Sequence, residues 1–176
     1  MYTLRISELR TKRETIPGKV LETKTLRAFV FLGTALLGGS LVEFFLRGGR
    51  MQAISFSAGL ICGVISFCLR RSAISSLGRF WSLHVEIREQ HQFIETGPFR
   101  WMRHPTYLSM ILELLAGALM LNAYFTLMVV MALFIPILCI RIRIEEDALV
   151  EKFGSIYRTY QTRTPAIFPY KRPMLR

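Results

Sequence analysis

The sequence lacks the signature motifs of several large enzyme classes. It contains no Gly-x-Ser-x-Gly, no phosphate-binding loop and no Gly-x-Gly-x-x-Gly. These motifs supply a serine nucleophile, a cradle for nucleotide phosphates and a dinucleotide-binding turn. Serine-nucleophile chemistry, ATP hydrolysis and a soluble dinucleotide-binding fold therefore have no support in this chain.

Cysteine and histidine are also scarce. The three cysteines, Cys62, Cys68 and Cys139, lie in apolar runs and form no Cys-x-x-Cys pair. An odd number of separated cysteines argues against a disulfide framework. His84 and His91 have no cysteine between them and no acid at ligand spacing. We therefore expect no metal site.

What the chain does contain is apolar runs separated by basic segments. It has 176 residues, 52% of them hydrophobic, and a net charge of +11. This separation is typical of a membrane protein. A strongly basic chain can also bind nucleic acid, but no basic helix stands apart from the apolar runs. We therefore expect phosphate-bearing lipid head groups, and no nucleic acid, as the electrostatic partner.

The hydropathy pattern predicts an all-α integral membrane protein with about four transmembrane helices. The predicted spans are 26–46, 51–69, 105–121 and 124–140. In the second span, Ser55, Gly59 and Gly63 form a small-residue stripe that would let another helix approach closely. Glu113 is costly against lipid, so it should face other helices or a cavity. Pro136 should kink the fourth span.

The segments outside the spans are more polar. The sequence predicts a basic, partly helical or disordered arm, a short interfacial helix, a loop and a C-terminal amphipathic helix along the membrane face. Their respective ranges are 1–25, 75–84, 86–99 and 141–160. We divide the chain into the cytosolic arm 1–25, a transmembrane hairpin 26–71 and a catalytic region 72–176.

The distribution of lysine and arginine predicts the topology. Seven of the 23 lie at or before the start of the first span, six lie between the second and third spans, and eight follow the fourth. With four spans, these segments share one side of the membrane, and the positive-inside rule assigns that side to the cytosol. Both termini are therefore predicted to be cytosolic.

The segment 97–107 combines glycine, prolines, arginines and aromatic residues directly before the third span. His104 and Tyr107 occupy neighbouring helical positions, which suits a polar, ring-bearing cofactor. The alternative is that His104 is only an interfacial anchor and that Arg103 binds a phosphate head group. A second pair, Arg141 and Glu145, shares one helical face. It is either a surface ion pair, or Arg141 binds an anionic substrate while Glu145 accepts hydrogen bonds from a cofactor.

Two sequence blocks carry a resemblance to a known family. They read His91-Gln92-Phe93-Ile94-x-x-Gly97-Pro98-Phe99-Arg100-x-x-Arg103-His104-Pro105-Thr106-Tyr107 and Arg141-Ile142-x-x-Glu145-Glu146-x-x-Leu149-x-x-x-Phe153-Gly154-x-x-Tyr157-x-x-Tyr160. Together they resemble the isoprenylcysteine carboxyl methyltransferase family, and related phospholipid methyltransferases share much of the pattern. The resemblance covers about 77–169, more than half of the chain.

The resemblance implies S-adenosylmethionine-dependent methyl transfer at the cytosolic membrane face. By position it implies these cofactor contacts: Glu86, His91, Gln92, Phe93, Ile94, Phe99, His104, Pro105, Thr106, Tyr107 and Glu145. It assigns Arg141 to the substrate carboxylate, and the candidate catalytic residues are Arg141, Glu145 and Arg103. Phe99 stands where the family usually has tyrosine, so the hydroxyl is missing while the ring remains.

The expected reaction is carboxyl O-methylation of a lipophilic, prenylcysteine-like substrate, or of a lipidated one. Three alternatives stay open: methylation of a lipid amine, an NADPH-dependent sterol-type reductase, and a non-enzymatic lipid-binding scaffold. Four spans resemble the small prokaryotic members of the family, so we expect a multi-pass protein of a prokaryotic cell membrane. Its other partners should be membrane lipids, with no obligate protein partner.

Overall fold

The structure is a computed structural model that describes residues 18–22, 24–78, 85–88 and 94–170, with side chains described in 24–78 and 94–170. Five α-helices, one 3-10 helix and a two-stranded ladder make up the described part of the chain. The α-helices are α1 Lys24–Leu46, α2 Ala53–Leu77, α3 Pro105–Met120, α4 Tyr124–Phe153 and α5 Ser155–Arg163. The 3-10 helix is Gly97–Arg100, and the strands are β1 Gly18–Glu22 and β2 Val85–Arg88.

The predicted all-helical membrane architecture is confirmed. Helices α1, α2 and α4 are long and apolar enough to cross a membrane. Helix α3 has 16 residues, about 24 Å, which is shorter than the roughly 30 Å core of a bilayer. It lies at the centre of the bundle and packs on α1, α2 and α4. Its apolar surface is therefore covered largely by neighbouring helices.

Helix α1 presents a regular buried face to the rest of the bundle. Its buried residues recur every three or four positions, which is the spacing of one helical face. They are Thr25, Phe29, Leu32, Leu36 and Ser40. The ring of Phe29 lies 4.8 Å from the ring of Phe134 in α4, measured between centroids. This face therefore fixes α1 against α4.

The small-residue stripe of α2 lies against α3 and the start of α4, as its spacing predicts. A Cβ added at Gly59 would lie 2.7 Å from Met120 Cγ and 2.9 Å from the Ala116 carbonyl oxygen. Ser55 Oγ is 2.7 Å from Tyr124 Oη. Only small residues allow this close approach of the backbones.

Two helix ends differ from the predicted ones. Helix α2 runs to Leu77 and ends at Gly78, whose φ is 52°. Residues 75–77 therefore belong to α2, so the prediction of an interfacial helix starting at Ser75 is wrong. The rest of that predicted helix, 79–84, lies outside the described residues. Helix α4 continues through Pro136 and Arg141 to Phe153 and ends at Gly154, whose φ is 56°. Glycine adopts this left-handed conformation without steric cost, so the break falls there rather than at Arg141.

The ladder joins two segments that the sequence predicts to be an arm and a loop. Strands β1 and β2 pair antiparallel, with Gly18 opposite Arg88 and Val20 opposite Glu86. The prediction of helix or disorder is therefore wrong for 18–22, and the predicted loop 86–99 begins with strand residues. Pairing across more than 60 residues is a tertiary effect that local sequence patterns do not report.

The helices alternate in direction, so polar groups gather at two ends of the bundle. We call the end that holds Arg47, Arg50 and Asn122 the turn end. The opposite end holds the first turns of α1 and α3 and the charged half of α4, and we call it the site end. The predicted functional residues of the described chain lie at the site end.

Candidate active site

A tight turn before α3 positions the first functional residues. Gly97 has a φ of 60°, and a Cβ there would collide with Ser76 Oγ of α2. Both facts require glycine. The 3-10 helix Gly97–Arg100 follows, and Pro105 then starts α3, a position where proline costs no hydrogen bond. Arg103 and His104 therefore lie at the head of the central helix.

The C-terminal segment covers this turn. The backbone N–H of Arg103 donates to the Pro165 carbonyl at 2.9 Å, and that of His104 donates to the Ala166 carbonyl at 2.8 Å. Tyr160 Oη donates to the Phe99 carbonyl at 2.5 Å. Burial raises the pKa of the Tyr160 hydroxyl well above its usual value, and the nearby Glu95 carboxylate adds to this. Tyr160 therefore stays a neutral hydrogen-bond donor.

Arg103 ties three parts of the chain together. Its Nε donates to Glu146 Oε1 at 2.7 Å, and its Nη1 donates to the carbonyls of Gln161 at 3.0 Å and of Thr164. Gln161 Nε2 also donates to Glu146 Oε2 at 3.0 Å. The side chains of Arg103 and Glu146 are 12% and 15% exposed. Charge-assisted bonds in such a sheltered place are strong.

His104 lies between two neighbouring carboxylates. Its Nε2 is 2.9 Å from Glu146 Oε1, and its Nδ1 is 3.7 Å from Glu145 Oε2. Because a carboxylate only accepts hydrogen bonds, Nε2 carries the proton of the shorter contact. The imidazole also stacks on the Tyr107 ring, with centroids 5.4 Å apart. His104 therefore links the Arg103 cluster to Tyr107.

Tyr107 connects Glu145 to Arg141. Its hydroxyl donates to Glu145 Oε2 at 2.5 Å and accepts from Arg141 Nε at 2.9 Å. Arg141 Nη1 donates to Thr25 Oγ1 at 2.7 Å, and the guanidinium lies 5.7 Å from the Phe29 ring centroid. Arg141 is 4% exposed, whereas the Glu145 side chain is 33% exposed. A buried cation thus stands behind a carboxylate that reaches the surface.

The two carboxylates of α4 also act on a neighbouring tyrosine. Burial raises the pKa of the Tyr157 hydroxyl far above its usual value, and the carboxylates of Glu146 and Glu145 raise it further. Two negative charges close together in a sheltered place oppose a third. The Tyr157 hydroxyl therefore stays neutral beside these carboxylates, although the Arg103 guanidinium acts in the opposite direction.

The structure brings most of the described candidate residues together. Arg103, His104, Pro105, Tyr107, Arg141 and Glu145 form one contiguous group. The Phe99 carbonyl accepts from Tyr160 of the C-terminal segment that covers the turn. Thr106 is half-buried and accepts a hydrogen bond from Ser109 through its carbonyl. Ile94 is half-buried ahead of the turn.

The side chains of four candidate residues lie outside the described part of the chain. His91, Gln92 and Phe93 lie outside the described residues, and Glu86 lies in β2, whose side chains are not described. The cofactor and substrate roles of all these residues stay predictions.

Sequence reasoning missed Thr25 and gave Glu146 too small a part. Glu146 accepts from both Arg103 and His104, although the site predicted from the sequence includes only its neighbour Glu145. The signal for Thr25 was available, because it is the first residue of the stripe that continues with Phe29 and Leu32. No local pattern connects Thr25 with Arg141, which lies 116 residues away.

Comparison with known proteins now gives this group a context. The model of the isoprenylcysteine carboxyl methyltransferase (ICMT) family matches residues 59–151, which include Arg103, His104, Tyr107, Arg141 and Glu145. This match covers more than half of the chain. The protein belongs to the ICMT family. With three helices able to span a membrane, this member of the family is an integral membrane protein.

Individual relatives carry different names. The uncharacterised protein YpbQ of Bacillus subtilis is 33% identical over 101 residues, which are 57% of this chain and 60% of the relative. The protein-S-isoprenylcysteine O-methyltransferase of Saccharomyces cerevisiae is 28% identical over 140 residues, 74% of this chain and 58% of the relative. The nickel-cobalt-cadmium resistance protein NccN of Alcaligenes xylosoxydans xylosoxydans is 28% identical over 97 residues, 54% of this chain and 45% of the relative. The chain therefore matches about half to three fifths of the length of these relatives.

Proposed function

We propose that this ICMT-family protein is an S-adenosylmethionine-dependent membrane methyltransferase that methylates a carboxylate of a lipophilic acceptor at the cytosolic face. The observation that carries the proposal is the chain of contacts Arg141–Tyr107–Glu145. It joins a buried cation to a partly exposed carboxylate at the edge of the membrane-spanning bundle. An anionic acceptor and a cationic cofactor need these two charges close together.

The residues present fit such a cofactor. Glu145 receives a hydrogen bond from Tyr107 on one oxygen, and a carboxylate offers about four lone-pair positions. Because a third of its side chain is exposed, Glu145 can also accept from an amine or from ribose hydroxyls. S-adenosylmethionine, when bound, supplies a methyl group on a positively charged sulfur, which is already electrophilic.

Arg141 is the residue proposed to bind the carboxylate of the acceptor. A guanidinium forms paired, charge-assisted hydrogen bonds with a carboxylate and fixes its direction. A carboxylate is ionised at neutral pH, so O-methylation needs no general base. What the protein must supply is alignment, and holding two reactants in line lowers the barrier substantially. The buried position of Arg141 also excludes water that would compete for the guanidinium.

The distribution of charge supports a cytosolic location of the reaction. The start of α1, the α2–α3 connection and the chain after Arg141 meet at the site end, and these segments carry most of the basic residues. The positive-inside rule assigns such an end to the cytosol. A lipid tail of the acceptor would then remain in the bilayer while its polar head reaches Arg141.

The first test is calorimetric titration of the detergent-purified protein with S-adenosylhomocysteine and, separately, with NADPH. We expect micromolar binding of the first and no heat from the second. Glu145→Gln should weaken S-adenosylhomocysteine at least tenfold, whereas Glu151→Gln, at an exposed position of the same helix, should leave it unchanged. Binding of NADPH alone would refute the methyltransferase proposal in favour of a reductase. No binding of either ligand by folded protein would favour the lipid-binding scaffold.

The second test separates the acceptor chemistries. The protein is incubated with methyl-labelled S-adenosylmethionine and either N-acetyl-S-farnesylcysteine, a lipophilic carboxylate, or phosphatidylethanolamine, a lipid amine. A methyl ester releases volatile labelled methanol in mild base, whereas an N-methyl group does not. We expect base-labile label on the carboxylate. Base-stable label on the amine would replace carboxyl methylation with N-methylation, for which Glu145 could act as the base.

A further inference from the structure

Thr25 is a buried polar residue at the site end that the predicted site does not include. It lies in the first turn of α1 and is 9% exposed. Four residues later on the same helical face is Phe29, whose ring packs on Phe134 of α4. The Thr25 side chain is therefore held against α4 by the packing of the helix that carries it.

The Thr25 hydroxyl helps to fix the direction of the Arg141 guanidinium. Its Oγ1 accepts from Arg141 Nη1 at 2.7 Å, while Arg141 Nε is directed to the Tyr107 hydroxyl at 2.9 Å. The Phe29 ring lies 5.7 Å from the guanidinium carbon. The guanidinium is planar, two of its nitrogens donate hydrogen bonds, and an aromatic ring lies beside it. It therefore has little freedom to rotate.

Arg141 lies in the part of the chain that matches the family model, and Thr25 lies outside it. Arg141 and Tyr107 lie within residues 59–151, which match the family model, whereas Thr25 lies outside them. Strand β1 ends at Glu22, three residues before Thr25, and pairs with β2, which contains the predicted cofactor residue Glu86. The N-terminal segment therefore reaches both the predicted acceptor arginine and the connection that leads to the cofactor residues.

We infer that Thr25 is a positioning residue for the acceptor: its hydroxyl holds the Arg141 guanidinium in the direction that receives the acceptor's carboxylate. The inference rests on the proposed function. Loss of this hydroxyl removes one buried acceptor from Arg141 without changing the charge of the site or Glu145. The effect should therefore fall on binding of the acceptor and spare binding of the cofactor.

The experiment compares Thr25→Val, which replaces the hydroxyl by a methyl group of similar size, with Thr25→Ser, which keeps it. Thr34→Val serves as the matched control, because the Thr34 hydroxyl is exposed and donates to the Val30 carbonyl of its own helix. Initial rates are measured with N-acetyl-S-farnesylcysteine and S-adenosylmethionine, and the affinity for S-adenosylhomocysteine is measured by calorimetry. Circular dichroism melting checks that each variant is folded.

We expect Thr25→Val to raise the KM for the carboxylate about tenfold, the size of one lost hydrogen bond to a charged group. The Kd for S-adenosylhomocysteine should stay within twofold, and Thr25→Ser should restore the KM to within threefold of the wild type. Thr34→Val should change neither quantity. A purely structural role would instead lower the active fraction and kcat at unchanged KM.

The failures are distinguishable. If the wild type, Thr25→Val and Thr25→Ser all methylate the carboxylate with the same KM, the inference about Thr25 is overturned. The proposed function then stays intact. An equal loss of cofactor affinity in Thr25→Val would overturn the inference as well, because the effect would then not belong to the acceptor. A wild-type protein that binds S-adenosylhomocysteine but methylates no carboxylate would overturn both the proposed acceptor and the inference that depends on it.

Discussion

Carboxylates organise both ends of the bundle, but they bind different kinds of partner. At the turn end, Glu43 accepts from the backbone N–H groups of Phe125 and Thr126 and from the Thr126 hydroxyl. It therefore caps the first turn of α4, where backbone donors have no partner within the helix. At the site end, Glu145 and Glu146 accept instead from side chains, namely Tyr107, His104, Arg103 and Gln161.

This difference separates a structural use of charge from a functional one. Backbone N–H groups do not titrate and are fixed in the helix, so the Glu43 cap serves as a structural connection between α1 and α4. The side chains at the site end carry ionisable groups, and one of the two carboxylates is partly exposed. Glu43 also forms an ion pair with Arg47, but that partner lies only four residues along the chain. The comparison teaches that a polar cluster at a membrane boundary becomes a candidate site when side chains from separate segments pair its charges and one of them reaches the surface.

Glu146→Gln should have the largest effect. It removes the negative charge that faces Arg103 Nε and His104 Nε2 while keeping the shape of the side chain. Breaking a largely buried ion pair costs about 3 kcal/mol, so we expect a clear fall in melting temperature and loss of S-adenosylhomocysteine binding. The exposed Glu151→Gln on the same helix is the control. A melting temperature equal to that of the wild type would mean that the site end is not held together by charge.

Tyr107→Phe should act on turnover more than on stability. The ring and its stacking on His104 remain, but the hydroxyl that joins Arg141 to Glu145 is lost. Hydrogen bonds to charged groups contribute about 1.5–3 kcal/mol, so kcat/KM should fall by roughly ten- to a hundredfold. Tyr124→Phe removes a hydroxyl at the turn end, where it bonds Ser55. Equal losses of activity in both variants would erase the distinction between the two ends.

Much of the architecture could be predicted from local sequence patterns. The apolar runs identify α1, α2, α3 and α4 to within a few residues at most ends, because burial in lipid requires continuous hydrophobicity. The stripe Ser55, Gly59 and Gly63 predicts the α2 interface because residues four positions apart share one helical face. The late ends of α2 and α4 were missed although Gly78 and Gly154 mark them, since charged residues were taken to end the helices.

The site was predictable only in part. Arg103, His104, Tyr107, Arg141 and Glu145 lie in two recognisable blocks, so their types and spacing point to one place. The contacts of Thr25 with Arg141 and of Glu43 with Thr126 join residues 116 and 83 positions apart. Such contacts depend on how the helices pack, and no periodicity within one segment reports them.

Glu43→Ala should lower stability without touching the site. Alanine leaves the Phe125 and Thr126 N–H groups without their side-chain acceptor, a loss of about 1–2 kcal/mol for a helix N-terminus. Glu43→Gln keeps an acceptor oxygen and should lose less. We expect the melting temperature to fall in the order wild type, Gln, Ala, while the Kd for S-adenosylhomocysteine stays constant. A change in that Kd would show that the turn end is coupled to the site.

The smallest effect is expected at Asn122, which links the two turns of the turn end. Its Nδ2 donates to the Arg50 carbonyl at 2.9 Å, and its φ is 55°, a conformation that is less costly for asparagine than for alanine. Against these two favourable features, its Oδ1 is one of the buried side-chain atoms without a hydrogen-bond partner in the described part of the chain. Removing the side chain relieves that cost, so the net loss in Asn122→Ala should be only about 1 kcal/mol.

Asn122→Gly separates the two contributions. Glycine loses the same hydrogen bond but adopts the positive φ without strain. The difference in melting temperature between the alanine and glycine variants therefore reports the backbone strain, less the extra entropy that glycine gains in the unfolded chain. We expect glycine to lie between wild type and alanine, with methyl transfer unchanged in both. Glycine as unstable as alanine would assign the whole effect to the Arg50 contact. The turn end would then depend on this side-chain contact rather than on backbone conformation.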